Sequence, residues 1–378
     1  MNIVIAIDSF KGSLSSIEAG NTTADAIQAI LPNANTQVFP LADGGEGTVD
    51  ALTAGFGGRI VETEVTGPLG DKLTSRYGFI ETSHTAIIEM ADAAGITLVP
   101  RAQLNPLNTT TYGLGELILH AAQNGCRSFI IGIGGSATND CGLGMLTALG
   151  IRFKKADGTA AGIFGRDLAG IESIDTSGLA AILKDCHFRI ACDVTNPLCG
   201  ENGCSAVFGP QKGATPEIVR RMDGDIRALA ARIKAQLGLG DAELPGTGAA
   251  GGLGYAFSTF LPAALEPGIS LVLDAIHLES ALRTADIAIT GEGRMDFQTA
   301  MGKAPIGVAE LAKKANPRVR TLAFCGCATA DADAVNEHGI DAYFPILHEV
   351  VTLDEALRRE NAERNLRQTV QQVFRLLK

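Results

Sequence analysis

The chain of 378 residues contains no tryptophan, and aromatic residues make up only 5% of it. Small side chains take their place. Forty-five glycines suggest an α/β enzyme whose loops approach ligands closely. Positive charge is also scarce: 31 Lys and Arg against 42 Asp and Glu give a net charge of −11. Such a surface argues against DNA, RNA or an anionic membrane as partner, although local lysines can still hold a small anionic substrate. None of the eight cysteines forms a C-x-x-C pair, and the six histidines do not cluster with them. Zinc is therefore disfavoured, and reduced core thiols in a cytoplasmic protein are expected. The opening "MNIVIAIDSF" lacks the basic region of a secretory signal, and its apolar run is too short for one. One uncharged stretch, "LPGTGAAGGLGYAFSTFLPAAL" at 244–265, approaches bilayer length. Its glycines, prolines and hydroxyls predict instead a buried helix with a glycine-rich entry. No Ser-His-Asp order is readable, and no internal repeat stands out.

What is present is an alternation of strand and helix signals. "NIVIAIDSF" reads as a strand buried on both faces. Ser15 and Glu18 have capping-box spacing ahead of a helical run that Pro32 closes. "TQVFPLAD" gives a second strand and "GEGTVDALTAG" a second helix, so a parallel sheet with right-handed crossovers is expected. From Arg59 the texture changes to short strands broken by "GPLGD" and "ETSH", the mark of antiparallel pairing. "SFIIGIGG" then precedes a helix expected at about 139–149, and "FRIACDV" precedes "TNPLCGENG". From Ala285 the β–α pattern returns through "ADIAIT", "RTLAFCG" and "AYFPI", and a long helix closes the chain behind a Thr352–Glu355 capping box. The simplest organisation is one parallel α/β domain built from 1–60 and 281–378, with a mixed α/β domain, 61–280, inserted within it.

The glycine turns carry the chemistry. "GIGGSA" at 132–137 fits G-x-G-x-x-A directly after a strand. Backbone amides at a helix start, with Ser136, Thr138 and Asn139 as neutral donors, would suit an anion; a turn whose hydroxyls merely cap the helix is the plainer alternative. Asp157 sits in what looks like a surface turn, which weakens a dinucleotide site. "LADGGEGT" at 41–48 is unlike a phosphate loop because it carries Asp43 and Glu46. A carboxylate repels phosphate by ~1 kcal/mol at 4 Å in water and more near a protein surface, so this turn either avoids anions or shares them with a cation. Asp8, Asp43, Asp193 and Glu292 all fall at strand ends, with Lys11, Lys303 and Lys212 in nearby loops. In open parallel sheets ligands bind there, and acids with lysines suit a magnesium–phosphate site. For any one acid, helix capping is an equally good explanation. "NPLNTTTYG" offers Asn108 and Thr109 to Thr111, either as a ligand loop or as a helix start with surplus hydroxyls.

Taken together and in order, these motifs resemble the type 1 glycerate kinases. The matching stretches are "IDSFKGSLSS", "LADGGEGT", "NPLNTTTYGLGELI", "IGGSATNDCGLGML", "CDVTNPLCG", "VFGPQKGA", "GAAGGLGYAF" and "TGEGRMDFQTAMGKAP". Cys141 stands where the family is expected to have glycine. The resemblance implies a flavodoxin-like (Rossmann-type) parallel domain with an inserted restriction-enzyme-like domain, and transfer from ATP to D-glycerate with Mg²⁺; an interdomain cleft is the expected place for it. The 2-phosphate is the expected product and the 3-phosphate the alternative. Roles follow from chemistry: Lys11, Asp193, Glu292 and Asp296 as catalytic groups; Asp43 and Glu46 on the metal. Asp8, Ser9, Gly134, Gly135, Ser136, Thr138, Asn139, Asp140, Asn196 and Lys303 would bind substrate or phosphate. A nicotinamide-dependent hydroxy-acid oxidoreductase using 132–137 is the competing enzyme class, and a non-catalytic sensor of hydroxy acid and nucleotide the competing binding class. Partners are small molecules; the acidic surface permits a homodimer without requiring one.

Overall fold

The computed structural model describes residues 1–42, 45 and 47–378. Two compact units divide the chain: Met1–Asp43, Asp50–Gly57 and Ile269–Lys378 form one, Gly44–Val49 and Gly58–Gly268 the other. Among the described residues the strands are β1 (Asn2–Ile5), β2 (Asn35–Val38), β3 (Arg59–Thr66), β4 (Lys72–Ile80), β5 (Thr85–Glu89), β6 (Ser128–Gly132), β7 (Arg152–Lys155), β8 (Ile171–Asp175), β9 (His187–Ala191), β10 (Ala263–Glu266), β11 (Ile287–Met295), β12 (Arg320–Ala328) and β13 (Ala342–Pro345).

The first unit is a five-stranded sheet in the order β13-β12-β11-β1-β2, parallel throughout. Counted within this sheet alone, that is the 2-1-3-4-5 winding of flavodoxin-like folds, as the resemblance implies. Alternation along β12 shows why its sequence is apolar without a break. Leu322 and Phe324 pack with Ile3, Ile5, Ile287 and Ile289 against the helices Ser16–Gln28 and Arg359–Leu376. Ala323 and Cys325 face the other way, onto Ile306 and Ala309 of helix Ala304–Ala315. A parallel sheet clad by helices on both faces requires this pattern. The helix after β1 starts at the expected place: Ser15 and Glu18 form a full capping box. So do Thr352 and Glu355, which open a short helix, Leu353–Leu357, ahead of the closing one.

The second unit holds a six-stranded sheet, β10-β9-β6-β5-β4-β3, and a β7–β8 hairpin. β3, β4 and β5 pair antiparallel, as the broken strand signals predict, while β5, β6, β9 and β10 run parallel. Phe129 of β6 stacks on Phe188 of β9 with ring centroids 4.7 Å apart. Register brings Glu89, Gly132 and Ala191, the last residues of β5, β6 and β9, side by side. The uncharged 244–265 stretch contains helix Ala249–Phe260, mostly buried and entered through glycines. No described helix is long and apolar enough to cross a membrane.

One expectation fails locally. The helix following β6 covers only Leu143–Ala148, not 139–149. Cys141 (φ 51°) and Gly142 (φ 69°) are both left-handed and break the helix before it can extend upstream. The left-handed backbone also explains why glycine is expected where Cys141 stands.

Candidate active site

The first unit gathers charged side chains where β1 and β11 diverge, the point at which doubly wound sheets bind ligands. Asp8, Ser9 and Lys11 follow β1; Glu292 and Arg294 lie in the second half of β11; Asp296, Thr299 and Lys303 lie in the loop leading to helix Ala304–Ala315. The Asp8 amide donates to Gly291 O at 2.9 Å, which joins the two strand ends. Asp8 Oδ1 accepts the Ser9 N–H at 2.7 Å. Glu292 is only 9% exposed. Burial pushes its carboxyl above the usual glutamate range, against the opposing pull of a hydrogen bond from Thr299 and the charge of Lys303; Asp296 adds to the rise, and Lys11 to the pull. Asp296 lies 3.6 Å from both Lys303 Nζ and Arg294 Nε. So Asp8, Ser9, Lys11, Glu292, Asp296 and Lys303 fall in one unit at one sheet end. Asp43 and Glu46 lie outside the described residues.

The second unit builds its cluster on the turn after β6. Gly134 and Gly135 are exposed, while Ser136 to Asp140 are buried. Residues 94–96 brace the turn: Ile96 N–H donates to Gly135 O at 2.8 Å and Ala137 N–H to Ala94 O at 2.9 Å. From the buried side Lys212 Nζ reaches Ser136 Oγ and Thr138 O, each at 2.6 Å. Among the described residues Thr138 Oγ1 and Asn139 Oδ1 are buried without a hydrogen-bond partner, and Asn139 Nδ2 donates to Ser205 Oγ at 2.8 Å. Because the helix starts only at Leu143, anion capture at a helix N-terminus gives way to a free-standing turn held from below.

Other expected site residues also make bonds within the local fold. Asp140 is fully buried, and its carboxylate accepts from Thr111 N and Oγ1 (2.9 and 2.8 Å) and from the amides of Gly142 and Gly144 (3.2 Å each). Burial raises its carboxyl in spite of those four donors. Thr109 Oγ1 donates to Ala137 O at 3.1 Å and Thr110 Oγ1 to Ile163 O at 2.6 Å, so the threonine loop supports the glycine turn. Asp193 lies two residues past β9, and its Oδ1 takes the Gly268 amide at 2.8 Å. Asn196 Nδ2 donates to Asn202 O at 2.8 Å within its own loop. Asp157 accepts from Thr159 N–H and Oγ1 (2.9 and 2.6 Å) in an exposed turn, which suits no ribose.

Lys212 is expected near the site but without a partner, and Thr299 and Glu89 carry no expectation at all. Thr299 holds Glu292, Lys212 holds the glycine turn, and the buried Glu89 accepts the Val49 amide at 2.8 Å. Lys212 had a signal, a lysine in a glycine-flanked loop; Glu89 and Thr299 had none.

A family model described as the glycerate kinase family matches residues 3–378. Over 377 residues the chain is 47% identical to a Haemophilus influenzae protein named glycerate kinase, covering 100% of this chain and 99% of that one. Over 358 residues it is 47% identical to the Escherichia coli K12 protein named glycerate 2-kinase, covering 95% and 93% of the two. A crystal structure of a Salmonella typhimurium LT2 protein described as a glycerate kinase 2 matches with a TM-score of 0.91 at 48% identity, covering 100% of this chain and 98% of that one.

Proposed function

Because the chain belongs to the glycerate kinase family, we propose that it transfers the γ-phosphoryl group of ATP to the 2-hydroxyl of D-glycerate with the help of Mg²⁺. The observation that carries this is a family match running through residues 3–378 in a chain whose sheet switch point collects Asp8, Lys11, Glu292, Asp296 and Lys303. The name of the Escherichia coli relative supports position 2. The eight free thiols suit the cytoplasm, where thiols stay reduced.

Phosphoryl transfer rests on positioning and on neutralising charge that is already present. Lys11 and Lys303 are placed to offset the charge that moves with the transferred group. Asp296 or Asp193 orients the attacking hydroxyl. The Gly134–Ser136 turn takes an anionic group. The donor chemistry of the first unit fits magnesium. Asp8 and Glu292 offer hard carboxylate oxygens. Mg²⁺ takes one or two carboxylates and binds substrate phosphates through its remaining positions, so two such oxygens would suffice. When bound, it would neutralise phosphate oxygens.

An ADP-release assay with MgATP and, in turn, D-glycerate, L-glycerate and tartronate tests the activity. Turnover confined to D-glycerate is expected, and phosphorus NMR of the product should show the 2-phosphate. ADP release with none of the three acids, or NADH binding without MgATP binding, would sink the proposal in favour of the sensor or oxidoreductase classes.

A further inference from the structure

Lys212 is 2% exposed, yet among the described residues no carboxylate lies within 4.0 Å of its ammonium. An ammonium has three N–H donors. Two go to neutral oxygens of the glycine turn, Ser136 Oγ and Thr138 O. Burial pulls its pKa down to about 8, and the nearby Cys204 and Asp140 pull it back up. Asp140 acts on it only at a distance and makes no ion pair with it, because its oxygens are taken up by Thr111, Gly142 and Gly144. A buried cation without an anion is costly, and hydrophobic residues would fill the same volume more cheaply.

The two bonds have a directional consequence. Ser136 Oγ accepts from a donor that has no lone pair to offer in return. Its own proton must then point elsewhere, and among the described residues it has no acceptor. The neighbouring Gly134 and Gly135 are exposed, a Cβ on Gly134 would meet nothing within 4 Å, and among the described residues neither of their amides meets a backbone acceptor. We propose that Lys212 is a positioning residue for the substrate: by donating to Ser136 it turns that hydroxyl into an outward donor, which holds the carboxylate of the hydroxy acid at the Gly134–Ser136 turn. The inference rests on the glycerate kinase activity proposed above and adds which group of that substrate the turn receives.

Lys212→Met keeps most of the side-chain length and removes the charge. At saturating MgATP, kcat/KM for D-glycerate should fall tenfold to about a hundredfold, the range for a lost charge-assisted hydrogen bond, while KM for ATP stays within about twofold. In a Ser136→Ala background the same substitution should cost less than about threefold, because the route through the hydroxyl is already gone. A Lys212→Met protein that melts cooperatively and keeps wild-type kcat/KM overturns the proposal. So do two losses that multiply fully in the double variant. If Lys212→Met does not fold, the wild type decides: kcat/KM for D-glycerate should decline as pH rises through about 8, as the ammonium loses its proton, and a flat profile there overturns the assignment. Wild-type protein that leaves D-glycerate unphosphorylated would overturn the parent reading, and this one with it. Normal turnover with an inert Lys212 would overturn this one alone.

Discussion

Thr299 Oγ1 donates to Glu292 Oε1 at 2.5 Å while accepting the Asp296 amide at 3.1 Å. Thr299 is fully buried, so one hydroxyl fixes the end of β11 and ties to it the loop that carries Asp296 and Lys303. Burial makes this carboxylate a group whose charge the fold resists, and the Thr299 bond offsets only part of that.

That resistance separates stability from activity. With its carboxyl raised by burial, Glu292 binds its proton more tightly in the folded than in the unfolded chain. Its contribution to stability is therefore complete below the ordinary glutamate value and is lost as pH rises through the raised one. Glu292→Gln should melt at a higher temperature than wild type at pH 7, and the advantage should fade as the pH is lowered to about 4. The same variant should lose at least about a hundredfold in kcat/KM, ~2.7 kcal/mol of transition-state stabilisation. Calorimetry at the two pH values and steady-state kinetics check both halves; unchanged kinetics would take Glu292 out of the reaction.

Lys11 is exposed and its loss leaves no cavity. Lys11→Ala should keep the wild-type melting temperature and lower kcat/KM by roughly a hundredfold or more, since its role is charge neutralisation during transfer. Activity within a few-fold of wild type would assign that role to Lys303 alone.

Asp140 offers the opposite test. Asparagine keeps its size but replaces an oxygen that accepts hydrogen bonds with an amide that donates them. Thr111, Gly142 and Gly144 would then face a donor or lose an acceptor. Each buried donor left unpaired costs about 1–3 kcal/mol. Asp140→Asn should lower stability by roughly 2–4 kcal/mol, seen as a reduced denaturation midpoint, even with saturating substrates present. A variant of wild-type stability with a raised KM would make Asp140 a ligand group instead of a brace.

Helix Ala249–Phe260 begins with three left-handed residues, Ala250 (φ 51°), Gly251 (φ 68°) and Gly252 (φ 90°). Alanine is strained in that conformation by about 1–2 kcal/mol, of which glycine recovers most while losing some to its own unfolded-state freedom. Ala250→Gly should therefore stabilise by about 0.5–1 kcal/mol. Gly251→Ala has the reverse sign: besides the strained φ, a Cβ there would lie 2.2 Å from Thr138 O and 2.6 Å from Asn139 Cα. It should destabilise the protein and disturb the glycine turn, raising KM for D-glycerate. Chemical denaturation of the two variants side by side measures the contrast.

The sheet of the first unit was legible because parallel strands buried on both faces leave continuous apolar runs, and because acids just beyond such runs have one place to go. In this unit Asp8 and Glu292 could be read that way. Lys212 could not be assigned, since its partner Ser136 is 76 residues away and the contact depends on two loops packing. Glu89 carries no signal of its own; its partner Val49 lies 40 residues upstream. The helix expected from 139 was misjudged because periodicity is blind to backbone handedness at Cys141 and Gly142. Asn196 has the composition of a ligand residue, yet its amide closes its own loop. Polar residues in a loop announce a hydrogen bond, and not with whom.

The strand that leads the chain pairs with one that comes near its end: Ile3 lies beside Ile287, Val4 beside Ala288, Ile5 beside Ile289. A ribosome adds about 5–20 residues per second, so the N-terminal strand waits roughly 15 to 60 s for its neighbour, exposed on one edge throughout. The second unit, whose strands run from Arg59 to Glu266, is complete before that neighbour is made. Birth order and assembly order are thus reversed, and the apolar "NIVIAI" segment is where a chaperone has most to protect.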